Sequence, residues 1–149
     1  MSMGEVEQNN YGTEFEKGVD SAYRSSYGNE VYLFKGDKYA CIDYGTNRLV
    51  QSIKKISDGF TCFHDTIFEN GIDAAFASHR TDEAYFFKGE YYVRVAVVPG
   101  STSDKLMGNP AKIVDYWPSL RGLIPLKNQY QSIITKNKHS FLFIFLCIM

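Results

Sequence analysis

Hydrophobic and polar residues alternate most clearly over Glu83-Ala84-Tyr85-Phe86-Phe87-Lys88-Gly89-Glu90-Tyr91-Tyr92-Val93-Arg94-Val95. Two runs rich in aromatic and β-branched residues flank Lys88-Gly89-Glu90, the signature of a β-hairpin whose glycine takes positive φ without a Cβ clash. Successive side chains of a strand point to opposite faces, so Ala84 and Phe86 share one side and Tyr85 and Phe87 the other. Neither side is polar, and the pattern predicts a sheet covered on both faces.

The same hairpin is written earlier as Glu30-Val31-Tyr32-Leu33-Phe34-Lys35-Gly36-Asp37-Lys38-Tyr39-Ala40-Cys41-Ile42. Aligning residues 13–42 with 66–95 gives 13 identities over 30 positions, among them Thr13/Thr66, Phe15/Phe68, Gly18/Gly71, Asp20/Asp73, Tyr32/Tyr85, Phe34/Phe87 and Tyr39/Tyr92. A period near 50 residues marks stacked supersecondary units. Each unit reads as a short apolar strand (residues 19–23 and 72–76), a polar turn, then the hairpin. The second unit carries a four-residue insertion around Pro99-Gly100-Ser101-Thr102-Ser103, and the copies rejoin at Lys55-Ile56-Ser57-Asp58-Gly59-Phe60 and Lys112-Ile113-Val114-Asp115-Tyr116-Trp117. Leu49, Ile53 and Ile56 fall at near-helical spacing, which predicts a short amphipathic helix closing each unit. Three or four antiparallel strands with two apolar faces and a small helix describe a propeller blade.

Composition narrows the function. A net charge of −1 gives no basic excess for phosphate backbones, so nucleic acid is not an expected partner. The polar, acidic stretch 1–10 has no apolar core of a signal peptide. Cys41, Cys62 and Cys147 are odd in number and lack CxxC spacing, as expected of reduced thiols rather than a disulfide framework. No HExxH, P-loop, GxSxG or dinucleotide fingerprint is present, and His64, His79 and His139 are scattered, so no catalytic residue is assigned and an enzyme is not expected. Asn and Gln total 12 of 149 residues, which does not favour an amide-rich storage protein.

Asp-Ala-Ala-Phe, Glu-Ala-Tyr-Phe-Phe-Lys-Gly and Tyr-Tyr-Val-Arg-Val, taken together, resemble the hemopexin repeat. Phe68-Glu69-Asn70-Gly71-Ile72-Asp73-Ala74-Ala75 and Ile113-Val114-Asp115-Tyr116-Trp117-Pro118-Ser119-Leu120 are similar to the legume seed albumins of the albumin-2 type. The resemblance covers about residues 12–126 and implies an all-β hemopexin-type propeller fragment. That fragment would have two four-stranded antiparallel blades with short helices, half of a four-bladed ring and similar to the second half of a longer albumin. The expected organisation is a disordered N-terminus (1–12), a first blade (13–66), a second blade (67–125) and a non-family tail (126–149).

The tail is polar at first and ends in nine apolar residues, Phe141–Met149, far short of the roughly 20 a spanning helix needs. It is expected either as an added segment or as a cover for one open blade face.

Asp20 and Asp73 stand at the same register of the innermost strand in both units. One reading has each capping its strand start through nearby backbone N–H groups. The resemblance implies another: main-chain oxygens at this position ring a central channel and coordinate calcium or another hard cation, which takes 6–8 oxygen ligands. It further implies binding of polyamines, notably spermine, and of haem, and a cytosolic location in seed tissue. Polyamine- and haem-binding residues stay unassigned, with Asp20, Asp73, Tyr32 and Tyr85 the right types for a polycation and His79 a nominal haem candidate.

Two blades leave two apolar faces unpaired. A homodimer completing the ring is therefore expected, with folding of the tail over one face as the alternative. Against a ligand-binding albumin stand two other readings: a storage protein with incidental ligands, and an extracellular hemopexin-like interaction module.

Overall fold

A computed structural model describes residues 13–79 and 82–123. The expectations for the N-terminus, for the tail with His139 and Cys147, and for the ends of the two outer segments lie outside the described residues. The structure consists of two small antiparallel sheets with short helices, the half-propeller architecture that the repeat predicts.

The first unit enters through a 3₁₀ turn at Glu14–Lys17 and continues into β1 (Ser21–Arg24), β2 (Glu30–Lys35) and β3 (Lys38–Asp43). Two two-residue strands, β4 (Arg48–Leu49) and β5 (Lys54–Lys55), both pair with the free edge of β3, so the fourth strand is split in two. The second unit repeats this with β6 (Ala74–Ala77), β7 (Glu83–Lys88), β8 (Tyr91–Ala96), β9 (Lys105–Leu106) and β10 (Ala111–Lys112). The hairpins are tight because Gly36 (φ +54) and Gly89 (φ +56) occupy the first of two loop residues, where a type II′ turn requires positive φ.

The closing helices are one turn each, α1 (Ile56–Gly59) and α2 (Ile113–Tyr116). The expected helix through Leu49, Ile53 and Ile56 is thus corrected. Asn47 takes positive φ (+56), the chain reverses there, and Leu49 returns as a strand residue opposite Ile42. Three apolar residues over eight positions fit a strand edge as well as a helix face, and here the edge of β3 supplies the backbone partners.

β1 and β6 pack against each other, which sets the two sheets face to face. Register fixes which side chains meet. In the first unit Tyr23, Tyr32, Phe34, Tyr39 and Cys41 share the face turned towards the second. In the second unit the inward set is Ala75, Ala84, Phe86, Val93 and Val95. Phe86 is the keystone, with ring centroids 5.3 Å from Tyr23, 6.1 Å from Phe34, 5.9 Å from Phe60 and 5.0 Å from Phe63.

Phe60, Phe63 and Phe68 come from the segment joining the units, and all are buried. The connection is therefore part of the core. Phe34, Phe63, Phe68 and Phe86 are each fully buried, and each such side chain contributes about 1.5–3 kcal/mol through area alone, with edge-to-face pairs adding about 0.5–1.5 kcal/mol. One buried hydrogen bond also crosses the seam, the Ser21 hydroxyl donating to the Ile72 carbonyl at 2.8 Å.

Candidate functional site

Asp20 and Asp73 immediately precede β1 and β6, the two strands that pack together between the sheets. Their backbones are held alike: the Asp20 N–H donates to the Phe34 carbonyl (2.8 Å) and the Asp73 N–H to that of Phe87 (2.9 Å).

Their side chains are committed elsewhere. The Asp20 carboxylate accepts from the Gly36 N–H at 2.8 Å and from Lys35 Nζ at 2.8 Å. Asp73 accepts from the Gly89 N–H at 2.6 Å. Each aspartate thus latches the start of its inner strand to the tip of its own hairpin, 16 residues on. Partial burial opposes ionisation of Asp20, but the Lys35 contact and the Gly36 N–H outweigh it and hold the carboxyl below its ordinary value. In the second unit Lys88 donates instead to the Asn70 carbonyl at 3.1 Å, so the two latches differ in charge environment. The sequence carried a signal for this: an aspartate followed 16 residues later by the hairpin glycine, identical in both copies.

For a cation, the consequence is that these carboxylates face their hairpins and only main-chain oxygens remain as donors at this register. Oxygen donors suit a hard cation, yet two positions fall well short of 6–8 ligands. Among the described residues no group of three or more His, Cys, Asp or Glu is placed to hold a metal.

The other candidates are dispersed. Tyr32 lies half-buried in the seam, stacked on Tyr23 at 5.2 Å, whereas Tyr85 lies on the opposite face of the second unit, stacked on Phe76 at 4.8 Å. The two tyrosines and two aspartates therefore do not converge on one cavity. His64 and His79 lie exposed in turns. A cavity of about 20 Å³ between the units, lined by residues including Tyr23, Ala77, Ser78, Glu83 and Val97, has room for a water-sized occupant but not for a haem. A wider groove of about 460 Å³ beside Thr13, Glu14 and Asp58 is bordered by Lys38, Lys54 and Lys55, the wrong sign for a polycation. Burial pushes the thiols of Cys41 and Cys62 up to about 11 and about 12, which keeps them protonated and poorly nucleophilic at neutral pH.

Asp104 was not singled out from the sequence. It follows the insertion of the second unit, is 7% exposed, and accepts from the Val98 N–H at 2.7 Å. Burial raises its carboxyl above the ordinary value, and the single N–H offsets this only in part. The insertion also docks on the connecting segment, where the Thr61 hydroxyl donates to the Thr102 carbonyl at 2.9 Å.

Two stacked sheets of this strand order, with inner strands starting at equivalent aspartates, define a hemopexin-type half-propeller. The chain matches the hemopexin family profile over residues 72–122. It is similar to the legume seed albumins: 64% identical over 118 residues to albumin-2 of Pisum sativum and 60% over 116 residues to albumin-2 of Lathyrus sativus. These alignments take in 78% and 77% of this chain but 51% of each relative, so the chain spans about half the length of the curated relatives it matches.

Solved structures agree. A plant albumin from Cicer arietinum showing hemagglutination superposes with a TM-score of 0.75 at 62% identity, over 78% of this chain and 52% of that one. A plant lectin with two metal binding sites, also from Cicer arietinum, gives 0.74 at 67% identity over 78% and 52%. Among the described residues no helix is long and apolar enough to cross a membrane.

Proposed function

We propose that the chain is a non-catalytic, cytosolic binding protein of the seed-albumin type. It would offer half of a channel that holds calcium or another hard cation through main-chain oxygens at Asp20 and Asp73. The observation that carries this reading is the identical placement of the two aspartates at the starts of the adjacent strands β1 and β6, with both N–H groups tied to the hairpins and both carboxylates latched away. Two metal sites in a related lectin support a metal over no ligand. The protonated thiols and the exposed histidines support a binding rather than a chemical role. Binding of spermine or haem rests on kinship with the albumin-2 proteins, and a second copy of the chain is the partner that would complete both ring and ligand set.

Calorimetric titration with calcium, spermine and hemin tests the proposal. The expected result is saturable calcium binding near one ion per two chains, unaffected when Asp20 is replaced by Asn because the carboxylate is not the ligand. Absence of calcium binding up to millimolar concentration would overturn it.

A further inference from the structure

The seam inside the chain is a template for what the two outer faces accept. On its aromatic side stand Tyr23, Tyr32, Phe34, Tyr39 and Phe60; on its aliphatic side stand Ala75, Ala84, Phe86, Val93 and Val95. Each side recurs on the other unit, where no described sheet packs against it, although Phe87 and Ala40 are each 3% exposed. The outer face of the second unit carries Phe76, Tyr85, Phe87, Tyr92 and Trp117, the repeat equivalents of the aromatic set. Trp117 lies over this face, its ring centroid 6.4 Å from Phe76 and 5.9 Å from both Phe87 and Tyr92. The outer face of the first unit carries Ala22, Val31, Leu33, Ala40 and Ile42, equivalent to the aliphatic set.

Size changes compensate across the unused pair. The aromatic side gains volume, Trp117 for Phe60, and the aliphatic side loses it at the facing keystone position, Leu33 for Phe86. Entry residues follow the same logic: Phe68 and Ile72 are 0% and 1% exposed in the seam, whereas their equivalents are half-buried Phe15 and Val19, the latter 42% exposed. Charged groups on the outer faces have local partners. Arg94, at the place of buried Cys41, reaches Glu83 at 3.9 Å, and Arg24 lies over the Tyr44 ring at 5.6 Å.

We infer that the Trp117 face of one copy takes the Leu33 face of a second copy, and that two such head-to-tail seams close a ring of four units. This rests on the homodimer in the functional reading above and specifies its contact. Pairing of like faces is disfavoured. Two aromatic faces would set Trp117 against Trp117 with nothing to fill the Phe86 role, and two Leu33 faces would meet with only small aliphatic side chains.

The test uses the full chain and two single variants, Leu33→Asp and Trp117→Glu, with Tyr85→Glu as a second aromatic-face variant should Trp117→Glu lose its native circular dichroism. Analytical ultracentrifugation is expected to show a dimer for the unmodified chain. Each variant alone, with both seams damaged, should be a monomer with its dimer Kd raised about 100-fold or more. Mixing the Leu33 and Trp117 variants should restore a dimer, because one of its two seams is then intact and both lesions share the other.

A dimer that survives Leu33→Asp but not Trp117→Glu would indicate aromatic-to-aromatic pairing and overturn the face assignment while leaving the homodimer standing. A mixture that stays monomeric also overturns it. A monomeric unmodified chain overturns the homodimer itself, whatever the calcium titration gives.

Discussion

The two units carry nearly the same five-ring aromatic face and treat it differently. In the first, Tyr23, Phe34, Tyr39 and Phe60 are buried and Phe86 of the neighbouring sheet fills the space among them. In the second, only Phe87 of the corresponding set is buried, and it is shielded by Phe76, Tyr92 and Trp117 of its own unit. Burial of a repeat residue is thus decided by what stands beyond the repeat, not by the repeat's own residues.

A second difference follows from one position. Gly59 in α1 leaves room for the Tyr39 ring, whose hydroxyl accepts from Gln51 at 3.1 Å; a Cβ at Gly59 would run into that ring. The corresponding Tyr116 of α2 is 67% exposed and meets Tyr92 edge-on at 5.9 Å.

The largest effects should break this contrast directly. Phe86→Ala empties the keystone site and is expected to cost about 3–5 kcal/mol in urea unfolding. The equivalent Leu33→Ala, half-buried on a face that no described sheet covers, should cost about 1 kcal/mol or less under dilute conditions where chains are apart, since little buried volume is lost. Equal costs at every concentration would mean that the Leu33 face is covered within a single chain.

Next in size is Gly59→Ala, expected to destabilise by about 1–3 kcal/mol by forcing Tyr39 out of its place. Tyr116→Gly in the other unit should cost about 1 kcal/mol or less, the helix-propensity difference of one exposed turn. A Gly59→Ala chain as stable as the parent in thermal unfolding would show that Tyr39 moves freely.

The two aspartate latches differ between the units as well. Removing either carboxylate, Asp20→Ala or Asp73→Ala, should cost about 1 kcal/mol, the net worth of a hydrogen bond at a partly exposed site. The Asp20 contribution should depend on pH: its folded value lies below the unfolded one, so the stabilisation is present above about pH 4 and is lost as pH falls through the folded value. Stability measured against pH for the parent and Asp20→Asn should converge at acid pH.

The smallest expected effect has the opposite sign. The Asp104 folded value is raised, so its charge destabilises the fold at neutral pH and the penalty is relieved as pH falls through that raised value. Asp104→Asn keeps an acceptor for the Val98 N–H and is expected to raise stability at pH 7 by about 1 kcal/mol, with the gain vanishing on acidification. A loss of stability at pH 7 would mean that the charge itself is needed.

Hairpins, repeat and face parity were legible because each rests on local chemistry: Lys-Gly followed by an acidic residue at the turn, and alternation over six-residue strands. Which face would be covered was not legible, since Tyr32 and Tyr85 read alike and differ only in their neighbours. The closing helix was legible, but its start was misread because Leu49 obeys a turn at Asn47 that periodicity does not register. The core role of Phe63 could not be read from the repeat, for in the register that pairs Phe60 with Trp117 its counterpart is Leu120, not another aromatic residue. At the candidate site the shared register of Asp20 and Asp73 was visible in the alignment. The destination of their carboxylates was not, because the hairpin tip comes near only after the sheet has formed.

The connecting segment through Phe60, Phe63 and Phe68 fixes more than packing. By tethering the two sheets it makes their seam an intramolecular event, with an effective concentration that for short flexible linkers is of millimolar order. Equivalent faces on separate chains have no such tether until a first contact forms. Once it has, the second seam of a closed pair would meet under the same intramolecular advantage. Assembly would then be cooperative, with open chains and closed rings populated and half-joined pairs scarce.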